Sequence, residues 1–407
     1  MTALGKLALH GGPRAKPGPY APRPNRYGEE ELAQLREALA QGTLFYAQGG
    51  KVKAFEERFA ARYDMPHCIA ASSCTGAIHA ALAALGIGPG DEVVTSPITD
   101  MGTLSGILLQ GAVPVFADVD PRSYNVTPKT VAAAITPRTR AVIAVHLAGN
   151  PCDASGIAEV TASAGIALIE DCAQSYLAEI GGRLAGTVGD IGCFSLNEFK
   201  HIACGDGGMC LTRDAHLARR IRMATDKSYS REPGASRFPE FVATNYRMTE
   251  LQGAVALAQL GKLEAICEGR ARVGEALRVA CERAPGTLPP RVARGARCTW
   301  WFFLFRVADA SGADDAEWFA TALQAEGVPA SAHYIGRCVY EYPAVAQRVA
   351  AAGRPAASCP VAEEVLRTGI IVPVHESWSD EDVAETASAI QKVAEHRCDR
   401  RSAAEEP

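Results

Sequence analysis

Between residues 68 and 212 the chain alternates short apolar runs with helix-sized amphipathic segments, and no other feature limits its possible folds so strongly. The apolar runs fall at 91–95, 113–117, 141–147, 166–169, 191–195 and 208–211, separated by segments such as 101–110 and 155–164. Strands of this kind bury both faces when helices cover a largely parallel sheet, which predicts an α/β domain over residues 26–269. Helical patterns open it, one from Gly28 through Leu32, Leu35 and Leu39 and one through Val52, Phe55, Phe59 and Ala60. Residues 245–269 read as one long helix with Leu251, Val255, Ala258 and Leu260 on its buried side. Beyond residue 270 the pattern changes to an aromatic strand at 300–307 and helices at 318–326 and 381–395, a smaller α+β domain ending at 396. The Pro- and Gly-rich residues 1–25 read as an extended arm of the kind that packs across a partner subunit. The polar residues 397–407 are expected to be disordered.

Composition narrows the functional classes. At 407 residues, 48% hydrophobic and 21% charged, the chain has the balance of a soluble globular protein. Apolar runs stay well short of the ~20 residues a membrane span needs. Residues 1–12 lack the long apolar stretch of a secretory signal, so a cytoplasmic location is expected. With a net charge of −5 and dispersed Lys and Arg, the sequence gives no basic stripe for nucleic acid. Its 13 cysteines, an odd number without a C-x-x-C pair, suit reduced thiols. His201 and Cys204 form an H-x-x-C with no second ligand pair, so no metal site is expected.

Three segments carry chemistry. Ser72-Ser73-Cys74-Thr75-Gly76 stands between an apolar run and a helix bearing Ile78, Leu82 and Leu85, where backbone N–H groups and the Thr75 hydroxyl can face a phosphate. The same residues also suit an ordinary N-cap. Ile169-Glu170-Asp171-Cys172-Ala173-Gln174 ends a strand on adjacent carboxylates at the sheet edge where α/β proteins bind ligands. Asp171 suits the nitrogen of a pyridine ring, which a carboxylate keeps protonated, and Gln174 suits a ring hydroxyl. A helix N-cap for Asp171 and a solvated surface charge for Glu170 are the plainer alternatives. In the third, Phe194 to Lys200 followed by Gly205-Asp206-Gly207-Gly208, Lys200 enters a glycine-rich turn as a candidate nucleophile, the alternative being an exposed lysine.

Together these residues resemble the DegT/DnrJ/EryC1/StrS sugar aminotransferases from about Leu32 to Val393. The landmarks are Val52-x-x-Phe55-Glu56, Ser73-x-Thr75-x-Ala77, Gly90-Asp91-Glu92-Val93, Pro114-Val115-Phe116-x-Asp118-Val119-Asp120, Glu170-Asp171-x-Ala173-Gln174, Lys200 before Gly205-Asp206-Gly207-Gly208, and Asn245-Tyr246-Arg247-Met248. The resemblance implies a fold-type I enzyme dependent on pyridoxal 5'-phosphate (PLP), with Lys200 forming the Schiff base, Asp171 pairing with the pyridine nitrogen and Gln174 meeting the ring hydroxyl. It implies phosphate contacts from Thr75, the Cys74 backbone and Ser195, and from Asn245 toward the site of the neighbouring subunit in an obligate homodimer. His333 and Tyr334 match a family His-Tyr pair near the acceptor pocket, with core packing of the small domain as the alternative. The implied reaction carries an amino group from glutamate or glutamine to a keto sugar or keto cyclitol, in amino-sugar or aminocyclitol biosynthesis of the secondary-metabolite kind.

The chain departs from the family at Cys74, where glycine is usual, at Asp206, where glutamate is usual, and at Asn197, which replaces a frequent histidine or glutamine. Asp100 falls where an aromatic commonly covers the cofactor ring. Either Asp100 faces the acceptor pocket and favours a polar, amino-bearing acceptor, or it caps the following helix while Met101 or Ile98 covers the ring. A Rossmann reading of Gly86-Ile87-Gly88-Pro89-Gly90 fails because the segment follows a helix and contains Pro89. A dehydratase of the same family, which carries histidine at the Lys200 position, and a non-catalytic PLP-binding regulator are the remaining rivals.

Overall fold

The computed structural model describes residues 5–235, 238–309 and 313–405. Strands β1 (His67–Ala71), β2 (Glu92–Thr95), β3 (Val113–Phe116), β4 (Thr139–Val145) and β5 (Ala167–Asp171) are followed by a small hairpin, β6 (Glu179–Ile180) and β7 (Arg183–Leu184), and then by β8 (Ile191–Ser195) and β9 (Gly208–Thr212). All but the hairpin form a seven-stranded sheet in the order β1-β9-β8-β5-β4-β2-β3. β3, β2, β4, β5 and β8 pair in parallel, and β9 runs antiparallel to both β8 and β1. The strands are nearly continuous in apolar residues because both faces are covered. On one face Ile78, Leu82, Leu104 and Ile107 pack against Val93, Ile143 and Ile169. Another face carries Phe59, Tyr63, Tyr176 and Phe194, whose rings meet at centroid distances of 4.8 Å (Phe59–Tyr63) and 5.0 Å (Tyr63–Phe194). Such pairs add ~0.5–1.5 kcal/mol each beyond the area they bury.

A second sheet, β10 (Thr287–Leu288), β11 (Phe303–Val307), β12 (Ser331–Ala332) and β13 (Gly369–Val372), is antiparallel in the order β10-β11-β13-β12. Its core of Leu277, Phe303, Phe305, Phe319 and Ile390 is closed by the helices Leu263–Arg283, Ala313–Ala325 and Asp380–Glu405.

Several expected bounds change. Residues 245–269 are not one helix: Thr249 caps Glu250–Leu260 through a reciprocal Thr249–Gln252 box, and a second helix, Leu263–Arg283, starts after Gly261. That second helix runs through the expected 269/270 boundary because its buried face continues from Ile266 and Cys267 to Val273 and Leu277. The aromatic strand begins at Phe303, since Trp300 takes a left-handed φ of 43° and turns the chain ahead of it.

The arm packs on its own chain. Lys16 Nζ lies 2.9 Å from Asp382 and 2.8 Å from Glu385, Glu326 accepts from the Ala8 and Ala15 amides, and Tyr20 stacks on Trp378 at 4.4 Å. The final helix passes the expected limit at residue 395 because Arg397 is buried, donating to Ala308 O over 2.8 Å beside Asp315. Polarity alone had marked this turn for disorder.

Candidate active site

Parallel strands aim their C-terminal ends at one edge of the sheet, the place where α/β folds leave a crevice. There a cavity of about 330 Å³ opens among Thr75, Asp100, Asp171, Gln174, Ser195 and Lys200. Cys74 also lines it. Seven residues singled out in the sequence thus reach one cavity from four segments of the chain.

One wall is the start of the helix Cys74–Ala84. Ser73 caps it, its hydroxyl accepting from Gly76 N over 3.0 Å. The Cys74 and Thr75 amides and the Thr75 hydroxyl have no protein acceptor among the described residues. The N-cap and anion readings therefore coexist, because the cap satisfies the third amide and leaves the first two. Close approach shapes this cup: a Cβ on Gly208 would lie 2.4 Å from the Ser73 backbone, and one on Gly102 2.8 Å from Thr75 Oγ1. Burial raises the Cys74 thiol well above its ordinary pKa, so this residue offers a backbone amide and no thiolate.

Asp171 ends β5 with its carboxylate buried. Thr103 donates to Oδ2 over 2.7 Å and the Ala173 amide to Oδ1 over 3.0 Å. Burial pushes this carboxyl above the usual carboxylate range, against those hydrogen bonds and the attraction of Lys200. No helix follows, so Asp171 is no N-cap. The surface-charge reading of Glu170 is corrected too. Glu170 is fully buried, 3.0 Å from His146 Nε2, and accepts from the Gly186, Val188 and Gly189 amides. Both Glu170 oxygens thus accept two hydrogen bonds each, within a buried cluster with His146 and Cys172.

Lys200 lies in the turn beyond β8, its carbonyl accepting from Arg26 Nη1 over 2.5 Å. Burial lowers its amine below the ordinary lysine pKa, against attraction from the Asp171 and Asp100 carboxylates. Nζ sits 3.5 Å from the centroid of the Trp301 ring, whose Nε1 donates to Phe199 O over 2.8 Å. Ser195 ends β8, its carbonyl held by the Tyr176 hydroxyl at 2.7 Å. Gln174 is oriented by Ala148, whose amide can only donate, here to Oε1 over 2.7 Å. Nε2 then donates to Tyr334 Oη over 3.2 Å, which ties Tyr334 to the cavity wall while its ring lines the adjoining cleft beside Trp301 and Phe302.

His333, the other half of the expected pair, is not brought to the cavity. Its Nε2 lies 3.4 Å from Glu317 in a separate cleft, and its backbone has a φ of 62° that turns it away from Tyr334. Asn245 also lies outside, exposed and paired through its backbone with Asp226. Asp100 caps the helix Met101–Leu109, accepting from Gly102 N over 2.7 Å, and lines the cavity as well. Ile98 is in the core and Met101, outside the cavity lining, packs against core residues, so the aromatics at the cavity are Phe199 and Trp301.

Sequence reasoning missed Thr103, Trp301 and Arg26. Thr103 carried a weak signal, one turn inside the helix that Asp100 opens. Trp301 sat within a run read only as a strand. The residues present fit a phosphorylated pyridine: unpaired amides at a helix start for the phosphate, a buried carboxylate lacking a contacting cation, and a depressed lysine amine between them.

The profile of the DegT/DnrJ/EryC1/StrS aminotransferase family matches residues 25–391. The spore coat polysaccharide biosynthesis protein SpsC of Bacillus subtilis (strain 168) is 34% identical over 375 residues, 90% of this chain and 95% of that protein. UDP-N-acetyl-3-dehydro-alpha-D-glucosamine 3-aminotransferase of Acidithiobacillus ferrooxidans is 36% identical over 370 residues, 89% and 95% of the two chains. The X-ray structure of the aminotransferase from Psychrobacter cryohalolentis is similar at a TM-score of 0.81 with 29% identity, covering 93% of this chain and 99% of that one.

Proposed function

Because the chain belongs to the DegT/DnrJ/EryC1/StrS aminotransferase family and is a PLP-dependent enzyme of fold type I, we propose that it moves an amino group from glutamate or glutamine to a keto sugar or keto cyclitol. The observation that carries this reading is the meeting of the Lys200 amine, the Asp171 carboxylate and the open start of the helix Cys74–Ala84 in one cavity.

The cofactor, when bound, supplies an electron sink for a carbanion at the amino-bearing carbon. Everything else falls to the chain. Thr75, the Cys74 amide and Ser195 hold the phosphate, and Gln174 turns its second Nε2 hydrogen to the ring hydroxyl. Asp171 holds a proton on the ring nitrogen; the positive charge there offsets the burial that otherwise disfavours its own anion. Lys200 Nζ would hold the cofactor and, when free, would move a proton at the amino-bearing carbon as base and then acid. Burial, which lowers its pKa, favours the neutral amine that the first of these tasks needs.

The site reading extends to the assembly. Asn245 is exposed and outside its own cavity, in a loop that also exposes Phe238 and Val242, which suits a homodimer in which Asn245 completes the partner's phosphate site. Tyr334 and Asp100 contact the acceptor. A cytoplasmic location is supported by thirteen cysteines with no disulfide among the described residues. No helix of the described residues is long and apolar enough to cross a membrane.

The deciding experiment adds glutamate or glutamine to the PLP-loaded protein and then a panel of keto sugars and keto cyclitols. Donor-dependent conversion of the cofactor to its amine form, reversed by an acceptor, is the expected result. Binding of PLP without either conversion would identify a regulator, and loss of an acceptor hydroxyl without amination a dehydratase.

A further inference from the structure

The contact between Lys200 and Trp301 joins two residues that are both fixed from behind. Trp301 is held at its amide by Ala148 O (3.0 Å), at its carbonyl by Arg270 Nη1 (2.8 Å) and at its indole nitrogen by Phe199 O (2.8 Å). Lys200 is held at its amide by Asn197 O (2.9 Å) and at its carbonyl by Arg26 Nη1. Arg26 and Arg270 share one carboxylate, Glu376, whose oxygens lie 2.9 Å and 3.1 Å from them. A single buried ion cluster therefore sets the spacing of the lysine and the indole.

The Lys200 amine makes no hydrogen bond among the described residues, and its partner is the indole face. Two carboxylates attract it, Asp171 and Asp100. Both are occupied, Asp171 by Thr103 and Ala173 and Asp100 by Gly102. Capture of the amine by either would fix it as an ammonium ion, and at Asp171 would cover the carboxylate meant for the ring nitrogen.

We propose that the Trp301 indole is the seat of the Lys200 amine whenever that amine is not bonded to the cofactor, a positioning role that keeps it off both carboxylates and ready to react. The proposal rests on the reading of Lys200 as the cofactor-bearing residue. A π face suits the task because it tolerates the ammonium form yet accepts no proton and forms no lasting ion pair.

The test follows uptake of pyridoxal phosphate by the cofactor-free full-length chain against pH, using the absorbance of the covalently attached form, with borohydride reduction and peptide mapping at the end. Trp301→Met and Trp301→Leu keep apolar bulk and remove the π face, while Trp301→Phe keeps one. In Met and Leu variants the apparent pKa governing attachment is expected to rise by about one unit, slowing attachment at neutral pH about tenfold, with Phe close to wild type. A uniform loss at every pH with unchanged apparent pKa, or a Phe variant as impaired as Met, would overturn the seat. Reduced cofactor mapped to another lysine would overturn the Lys200 reading beneath it.

Discussion

Thr103 Oγ1 donates to Asp171 Oδ2 over 2.7 Å, so a helix start that lies far from β5 in sequence steadies the carboxylate proposed to meet the cofactor's ring nitrogen. The Thr103 hydroxyl and the Ala173 amide act against the burial that raises this group.

Removing that hydroxyl is therefore expected to act through Asp171. A hydrogen bond to a charged group contributes ~1.5–3 kcal/mol, so Thr103→Val should lower kcat by about tenfold to a hundredfold. Thr103→Ser should restore most of it. Steady-state kinetics of the three proteins checks this, and an unaffected Thr103→Val would detach Thr103 from the chemistry.

The pH dependence has a definite sign. Asp171 has a folded pKa raised above 3.8, so in the cofactor-free chain it binds more protons folded than unfolded, and its contribution to stability falls as pH rises from 3.8 through the folded value. Lys200, lowered from 10.5, acts in the opposite sense: its contribution grows as pH rises from the folded value to 10.5. At neutral pH both oppose folding. Asp171→Asn should then raise the melting temperature of the cofactor-free chain by about 2 °C while weakening PLP binding and removing most of the turnover. Melting curves with and without PLP separate the two effects.

Subunit complementation tests the dimer. Lys200→Ala and Asn245→Ala are each expected to be inactive or nearly so, and their mixture to regain partial activity, since one site of the heterodimer would hold both native residues. Activity measured after verified subunit exchange decides it, and no recovery would place Asn245 in its own chain's business or in none.

Asp100 combines a cap with a place in the cavity, and the two can be separated. Asp100→Ala should cost about 1 kcal/mol through the lost cap, whereas Asp100→Asn, which also caps, should leave stability nearly unchanged. If the second oxygen meets an amino-bearing acceptor, Asp100→Asn lowers kcat/KM for that acceptor about tenfold relative to a neutral analogue. Equal loss for both acceptors would leave Asp100 a cap alone.

The residues that meet in the cavity were legible where chemistry lies next to regular structure: Asp171 at a strand end, Thr75 at a helix start, Lys200 between a strand and a glycine turn. The seven-stranded sheet was legible for the same reason, since strand periodicity and helix length are local. Partners fixed by tertiary approach were not. Glu170 looks like any surface acid until β5 is flanked by β4 and β8, and its neighbour His146 is 24 positions away. The divergence of His333 from Tyr334 depends on one left-handed residue, which sequence order does not reveal. The split of residues 245–269 was encoded by Thr249 and Gly261, but the apolar spacing through it masked both signals.

Lys16, Tyr20 and Arg26 find their partners in Asp382, Trp378 and Glu376, and Ala8 bonds to Glu326 across 318 positions. A ribosome delivers these partners long after the arm. Arg26, which grips the Lys200 carbonyl, must wait for Glu376 to emerge, so the nascent chain carries Lys200 through the synthesis of residues 201–375 without the clamp that aims it. Contacts of such long range are slow to form, so the backbone of Lys200 takes its final setting only after Glu376 has been made.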